Sequence, residues 1–330
     1  DDRYDKVKGL IGAGNVTLGT AGGDRLRVGA DNASRLFSGV ISEAGNVIKE
    51  GSGTWTLSGG NTYSGNTIIN GGTLALSGAG TIANSPVISI AGGATFSVAG
   101  RSGTLTLASG KGITVTATGS ASPATIVTAL GIDLATAGNS PLAFSSFSSA
   151  GGAPLAIAGA GLVMLSGGDS VTVTVTGGAL ADGSYTLISK GASGGVSGTA
   201  PTSVSVGGNG VAPGALSSLA IVGNELVLLV ETPVTVPVLT SPSAALITPG
   251  GATLGATITG DGGAAITERG TVWGTSANPE GNALAAGGTD LGAFSHARSG
   301  MTAGTLIHYR GCADNRMGRG YSGDATFWTV

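Results

Sequence analysis

The feature that most constrains this chain is a run of short stretches in which polar and apolar residues alternate, each stopped after about four positions by glycine. Thr54-Trp-Thr-Leu57 precedes Gly59-Gly60, and Thr67-Ile-Ile69 is stopped by Asn70-Gly-Gly72, after which Thr73-Leu-Ala-Leu76 resumes. Val87-Ile-Ser-Ile90, Thr95-Phe-Ser-Val98 and Thr104-Leu-Thr-Leu107 repeat the theme. Alternation with period two places one side of each stretch in a core, and a turn about every seven to twelve residues reads as all-β. No segment carries a capped stripe of helical period; Ala124 to Leu134 comes nearest and is short.

Composition decides what the glycines are for. They number 63 of 330 residues, and only 10% of the chain is charged, against roughly 25% in an ordinary domain. Such a chain could be disordered, but disordered chains are poor in β-branched residues, and this one is rich in Val, Ile and Thr. The glycines therefore punctuate strands. The charges are unevenly placed: 14 lie in residues 1–50, 8 in 51–250 and 11 in 251–330. A net charge of −3 argues against a nucleic-acid partner, and no apolar run reaches the length of a transmembrane segment. The stretch Ala215 to Val230 is interrupted by Ser217, Ser218, Gly223, Asn224 and Glu225. The single cysteine, Cys312, offers no intrachain disulfide. The start at Asp1, without methionine, is what a processed product would show.

A sandwich and a solenoid of stacked rungs both suit such strands. Short strands and double glycines favour the solenoid, where each rung buries one face and glycine allows corners with φ > 0.

The stretch from Phe37-Ser-Gly-Val-Ile through Gly53-Thr-Trp-Thr-Leu-Ser-Gly-Gly-Asn-Thr-Tyr-Ser-Gly65 to Gly72-Thr-Leu-Ala-Leu76 resembles the autotransporter-associated β-strand repeat of bacterial surface proteins. Ala79 to Gly100 resembles its usual continuation; Gly178 to Ile188 and Asn224 to Val230 resemble, more loosely, the closing rungs of such passengers. The resemblance implies a right-handed parallel β-helix over residues 10–232, with the repeat at 37–76. It implies a secreted or cell-surface location. The outer-membrane barrel that ends many members is not found within these residues.

At Thr232-Pro-Val-Thr-Val-Pro237 the pattern changes, and residues 233–239 read as a proline-containing linker. Residues 240–330 show longer alternating strands and resemble a bacterial fibronectin type III-like module. Its matching residues are Asp261-Gly-Gly263, Thr267-Glu-Arg-Gly270, Met301-Thr-Ala-Gly-Thr305, Tyr309-Arg310, Asn315 and Gly318 to Tyr321. The resemblance implies a β-sandwich of immunoglobulin or fibronectin III type, with Ile307 in place of the family's corner tyrosine and Ala303 in place of its proline. The fold expected overall is all-β: a solenoid followed by a sandwich.

Chemistry is sparse. His296 and His308 fall on different strands, without the spacing of a metal site. No serine sits in a nucleophile elbow, and the many GxG patterns open no helix. The rung carboxylates Asp133, Asp169, Asp182, Glu225 and Glu231 are too scattered for a hydrolase pair and read as turn solvation. No calcium-loop motif occurs, and Asp261-Gly-Gly263 is a turn. Trp55, Trp273 and Trp328 could stack on sugars, but core packing is the expectation for all three. Asn15-Val-Thr17 and Asn32-Ala-Ser34 are sequons. No enzyme activity, cofactor or metal is expected.

Residues 1–9 are read as a charged arm or cap rather than a rung. Asp1, Asp2, Arg3, Tyr4, Asp5, Lys6 and Lys8 are candidate subunit contacts, pairing with a neighbour's open strand edge by strand addition. Two functions follow as expectations: a self-assembling subunit of an extracellular fibre or sheath, or a monomeric adhesin-type passenger that binds glycans or host proteins.

Overall fold

The computed structural model describes residues 4–19, 23–116, 122–136 and 138–330, the side chains of residues 4 and 5 excepted. Every element among the described residues is a strand. The chain divides into two compact units, Asp1–Glu231 and Thr232–Val330.

The first unit is a stack of parallel rungs. One nine-stranded sheet begins at Tyr4–Val7 and Arg25–Val28, passes through Asn46–Lys49, Thr67–Ile69 and Val87–Ala91, and ends at Ser170–Val175 and Ser203–Gly208. A second begins at Arg35–Phe37 and Thr54–Leu57 and runs parallel as far as Gly183–Ser189. There Glu225–Glu231 and Leu216–Val222 pair antiparallel and close that sheet. Ala124 to Leu134, the nearest approach to a helical pattern, supplies strands Ala124–Val127 and Ile132–Asp133.

Rung length changes along the stack. Trp55 lies in register with Leu74, and Leu74 with Phe96. Phe96 then aligns with Ile126, and Ile126 with Ile157, so a later rung takes roughly half as much chain again as an early one. The extra residues form a third, four-stranded parallel sheet: Leu105–Thr106, Ile132–Asp133, Leu162–Leu165 and Gly195–Gly198. The early rungs thus have two principal walls and the later ones three.

Like positions stack into columns. One runs Val28, Lys49, Ile69, Ile90, Val115, Phe144, Val173 and Val206. Burial of each large apolar side chain contributes about 1.5–3 kcal/mol. Lys49 is the charged exception, 1% exposed. Its Nζ donates to the carbonyls of Glu50, Gly51 (2.9 Å) and Gly71 (3.1 Å), so each of its three protons has an acceptor. That approach needs glycine at position 51: its φ is +67°, and a Cβ there would lie 2.1 Å from the Gly29 carbonyl oxygen.

The repeat signature between residues 55 and 76 has a physical basis. Trp55, Leu57, Leu74 and Leu76 fill the core. Asn61 accepts from the Ile41 amide and donates to the Gly59 and Thr81 carbonyls, tying three rungs together. Thr67 replaces an apolar residue in a core column, and a chain of hydroxyls accommodates it. Tyr63 donates to Thr67 (2.6 Å), Thr67 to Ser85 (3.0 Å), and Ser85 to the Gly65 carbonyl. Burial pushes the Tyr63 phenol well above its usual range. The Trp55 indole Nε1, also buried, has no acceptor.

The second unit is a two-sheet antiparallel sandwich. Val238–Thr248, Gly251–Gly260 and Gly292–Ser299 form one sheet. Leu284–Ala285, Glu268–Gly274, Leu306–Asn315 and Gly318–Tyr321 form the other, with Ala325–Trp328 also on Leu306–Asn315. Ile307, with no hydroxyl to spend on a corner bond, is fully buried beside Tyr309, Phe327 and Met301. Asp261-Gly-Gly263 is a turn in which Asp261 accepts from the Gly263 amide at 2.8 Å.

Candidate binding surfaces

The charged N-terminal segment, expected as an arm or cap, includes a strand at the end of the stack. Asp1, Asp2 and Arg3 lie outside the described residues. Tyr4–Val7, however, is the first strand of the nine-stranded sheet, paired in parallel with Arg25–Val28. A rung strand needs only every second residue to face inward, so charge does not bar it: Val7 is in register with core Val28, and Lys6 lies 3.8 Å from Glu50, which also pairs with Arg27. The backbone of Asp5 stands in register with Leu26. Lys8 is exposed.

Two of the rung carboxylates brace turns. Asp169 is fully buried and accepts from the amides of Ser140 and Ser166, both at 2.8 Å, which explains it as a corner brace. Asp133 caps its own turn through the Thr136 amide. No group of three or more His, Cys, Asp or Glu among the described residues could hold a metal ion. Nor is any helix among them long and apolar enough to cross a membrane. Both sequon asparagines brace loops: Asn15 accepts from the Val40 amide and Asn32 from the Ser52 amide.

Two clefts have chemically mixed walls. The first, about 400 Å³, opens on the solenoid where Gly183–Ser189 pairs with Leu155–Ala158 through only two residues. Tyr185 and Phe147, edge to face at 6.1 Å, line it with Ser184, Thr186 and Glu225. One Glu225 oxygen accepts from the Lys190 amide.

The second cleft, about 360 Å³, lies on the sandwich and is lined by Trp273, Asn282, Leu284, Arg298 and Ser299 among others. Arg298 follows Phe294 and His296 on the inward-facing side of its strand and is 8% exposed. Its Nη1 donates to the Thr271 carbonyl and, at 2.6 Å, to the Thr271 hydroxyl; Nη2 donates to the Asn282 carbonyl. The Thr271 hydroxyl is also hydrogen-bonded to His296 Nε2 at 2.8 Å, so the three side chains form one cluster. Burial, reinforced by the Arg298 charge, holds His296 below its ordinary pKa. Burial also lowers that of Arg298, and among the described residues no carboxylate pairs with it. The two histidines are on opposite sheets, His308 pairing with Asp324 at 2.7 Å.

Of the three tryptophans, Trp55 is core as expected and Trp273 packs at the edge of one. Trp328 departs from the expectation: it is 63% exposed, because its strand alternates and Phe327 takes the inward position. Sequence patterning does not single out Arg298 or Tyr185. The one signal for Arg298 is an arginine two positions beyond His296 and four beyond Phe294, on the same side of an alternating strand.

Residues 47–76 match the passenger-associated-transport-repeat family (PATR). Over 105 residues the chain is 33% identical to the adhesin BmaC autotransporter of Brucella suis biovar 1 (strain 1330), a match covering 32% of this chain and 3% of that protein. The chain thus spans a small fraction of the curated relative's length. Among solved structures, domains A168-A170 from titin overlap 36% of this chain and 50% of that one, at 15% identity and TM-score 0.25. The multi-modular cell-surface chitinase ChiW of Paenibacillus sp. str. FPU-7 overlaps 96% of this chain and 23% of that one, at 16% identity and TM-score 0.21. Neither superposition carries an argument.

Proposed function

We propose that the chain is the surface-exposed, adhesin-type part of a bacterial passenger. The solenoid serves as a rod and the sandwich as a contact module of fibronectin III type. The observation that carries this role is the transport repeat at residues 47–76 seated within an uninterrupted parallel stack. The similarity to the Brucella adhesin over 105 residues supports it and supports a cell-surface or secreted location. The role has no catalytic step. A direct test fuses the chain to an outer-membrane translocator in a non-adherent bacterium. Intact cells should be labelled by antibody against the chain, lose that label to added protease, and be retained on glass or cultured cells several-fold above the empty translocator. Retention equal to the empty translocator removes the adhesin role; label only after permeabilisation removes the surface location.

A second role, subunit of a fibre or sheath, is favoured by one feature. The first and last strands of the nine-stranded sheet, Tyr4–Val7 and Ser203–Gly208, each end the sheet, and both run in the same sense. A second copy added head to tail would continue the ladder. Electron microscopy at rising concentration decides. Polymers that vanish on deleting residues 1–8 support assembly, and monodisperse monomers throughout exclude it.

A further inference from the structure

We infer that the sandwich cleft beside Trp273 and Arg298 is a binding site for a carboxylate-bearing sugar, a uronic acid unit of a polysaccharide. A buried cation is tolerated where an anion or a full set of hydrogen bonds repays its lost hydration. Among the described residues Arg298 has only neutral acceptors, Thr271 and the Asn282 carbonyl, and no acidic side chain pairs with it. Those bonds occupy three of its five N–H groups and leave Nε and one proton of Nη2 without a partner, at the cleft wall. Guanidinium donors in that arrangement suit a carboxylate, taken up in a partly desolvated site where charge-assisted bonds are strong.

The rest of the wall selects a sugar as the bearer of that carboxylate. Trp273, half-buried, offers an indole for the apolar face of a pyranose ring. The exposed Ser299 hydroxyl and the Asn282 side-chain oxygen have no partners among the described residues; the hydroxyl can donate to or accept from ring hydroxyls, and the amide oxygen can accept from them. The volume, about 360 Å³, falls in the range of small-ligand sites. An acidic peptide would satisfy the arginine equally but would leave the indole and hydroxyl positions without a matching group. The inference extends beyond the display role and is independent of it: an empty cleft would leave surface exposure and retention untouched.

The test uses the full chain, titrated with tetragalacturonate, with maltotetraose as the neutral counterpart, followed by tryptophan fluorescence and calorimetry. Expected is saturable binding of the uronate that weakens as salt is raised, with maltotetraose at least tenfold weaker. Arg298→Met should abolish the preference for the acid. Because Arg298 also clamps the two sheets, its thermal unfolding is recorded alongside, and Trp273→Leu, which leaves the clamp intact, should weaken uronate binding at least tenfold. Absence of saturation in the wild-type chain, equal binding of the two oligosaccharides, or unchanged uronate binding in Trp273→Leu overturns the site. A tetraglutamate peptide that binds as tightly as the uronate overturns its assignment to sugars.

Discussion

At the scale of single residues, a few buried polar groups tie neighbouring rungs of the solenoid's apolar columns together. The Tyr63–Thr67–Ser85 chain is the clearest case. Thr67→Val keeps the shape but strands the Tyr63 hydroxyl, and should cost about 1–3 kcal/mol. Tyr63→Phe combined with Thr67→Val removes both partners and should cost less than the two single changes added together, because the stranded donor is gone. Urea midpoints of the four proteins check this; strict additivity would show that the hydroxyls are not coupled. How far such groups are legible in sequence differs from one to the next. Trp55, Leu57, Leu74 and Leu76 announce themselves by alternation. Thr67 and Lys49 break the apolar alternation, because their partners come from neighbouring rungs that are distant along the chain. Arg298 is hidden for the same reason: its partners Thr271 and Asn282 are close only once the sheets face each other.

At the scale of elements, the rung is the unit, and each contacts chiefly the rungs before and after it. Trp55 and Leu74 occupy the same place in successive rungs. Excising residues 55–73 therefore joins Thr54 to Leu74 with every column still in phase. The shortened chain should remain soluble with an unchanged strand signal per residue by circular dichroism. Removing only residues 55–64 throws one sheet's residues onto the other's positions and should give aggregated protein; equal behaviour of the two deletions would show that rungs are not the folding unit. Strand existence and the parallel stack are legible because the glycines mark each corner. The third wall is not: the rung lengthens where the repeat signature fades, and nothing in Leu105-Thr106 alone distinguishes a new sheet from a loop. The N-terminal strand is not legible because Tyr4-Asp-Lys-Val7 lacks apolar alternation, and only the pairing with Arg25–Val28 reveals it.

At the scale of the whole molecule, two compact units predict two separate unfolding transitions. The sandwich transition should be the acid-sensitive one. His296 is held below its ordinary pKa when folded and returns to about 6.5 when unfolded. The unfolded state thus binds the extra proton first, and stability is lost as pH falls below that value. Calorimetric scans between pH 7.5 and 5 should show one transition moving down more than the other, and His296→Gln should remove most of the difference; parallel shifts would contradict it. The change of rung length has a mechanical consequence. In a parallel stack the ladder hydrogen bonds run along the axis, so tension between the two ends of the solenoid opens them one rung at a time, like a zip, instead of shearing many together. Each opened rung releases its contour length, at most about 3.3–3.6 Å per residue. A force–extension trace should accordingly show steps of two sizes, about 70 Å from the early two-walled rungs and about 100 Å from the later three-walled ones. A tether built this way yields in small, repeatable increments and dissipates a pull without letting go.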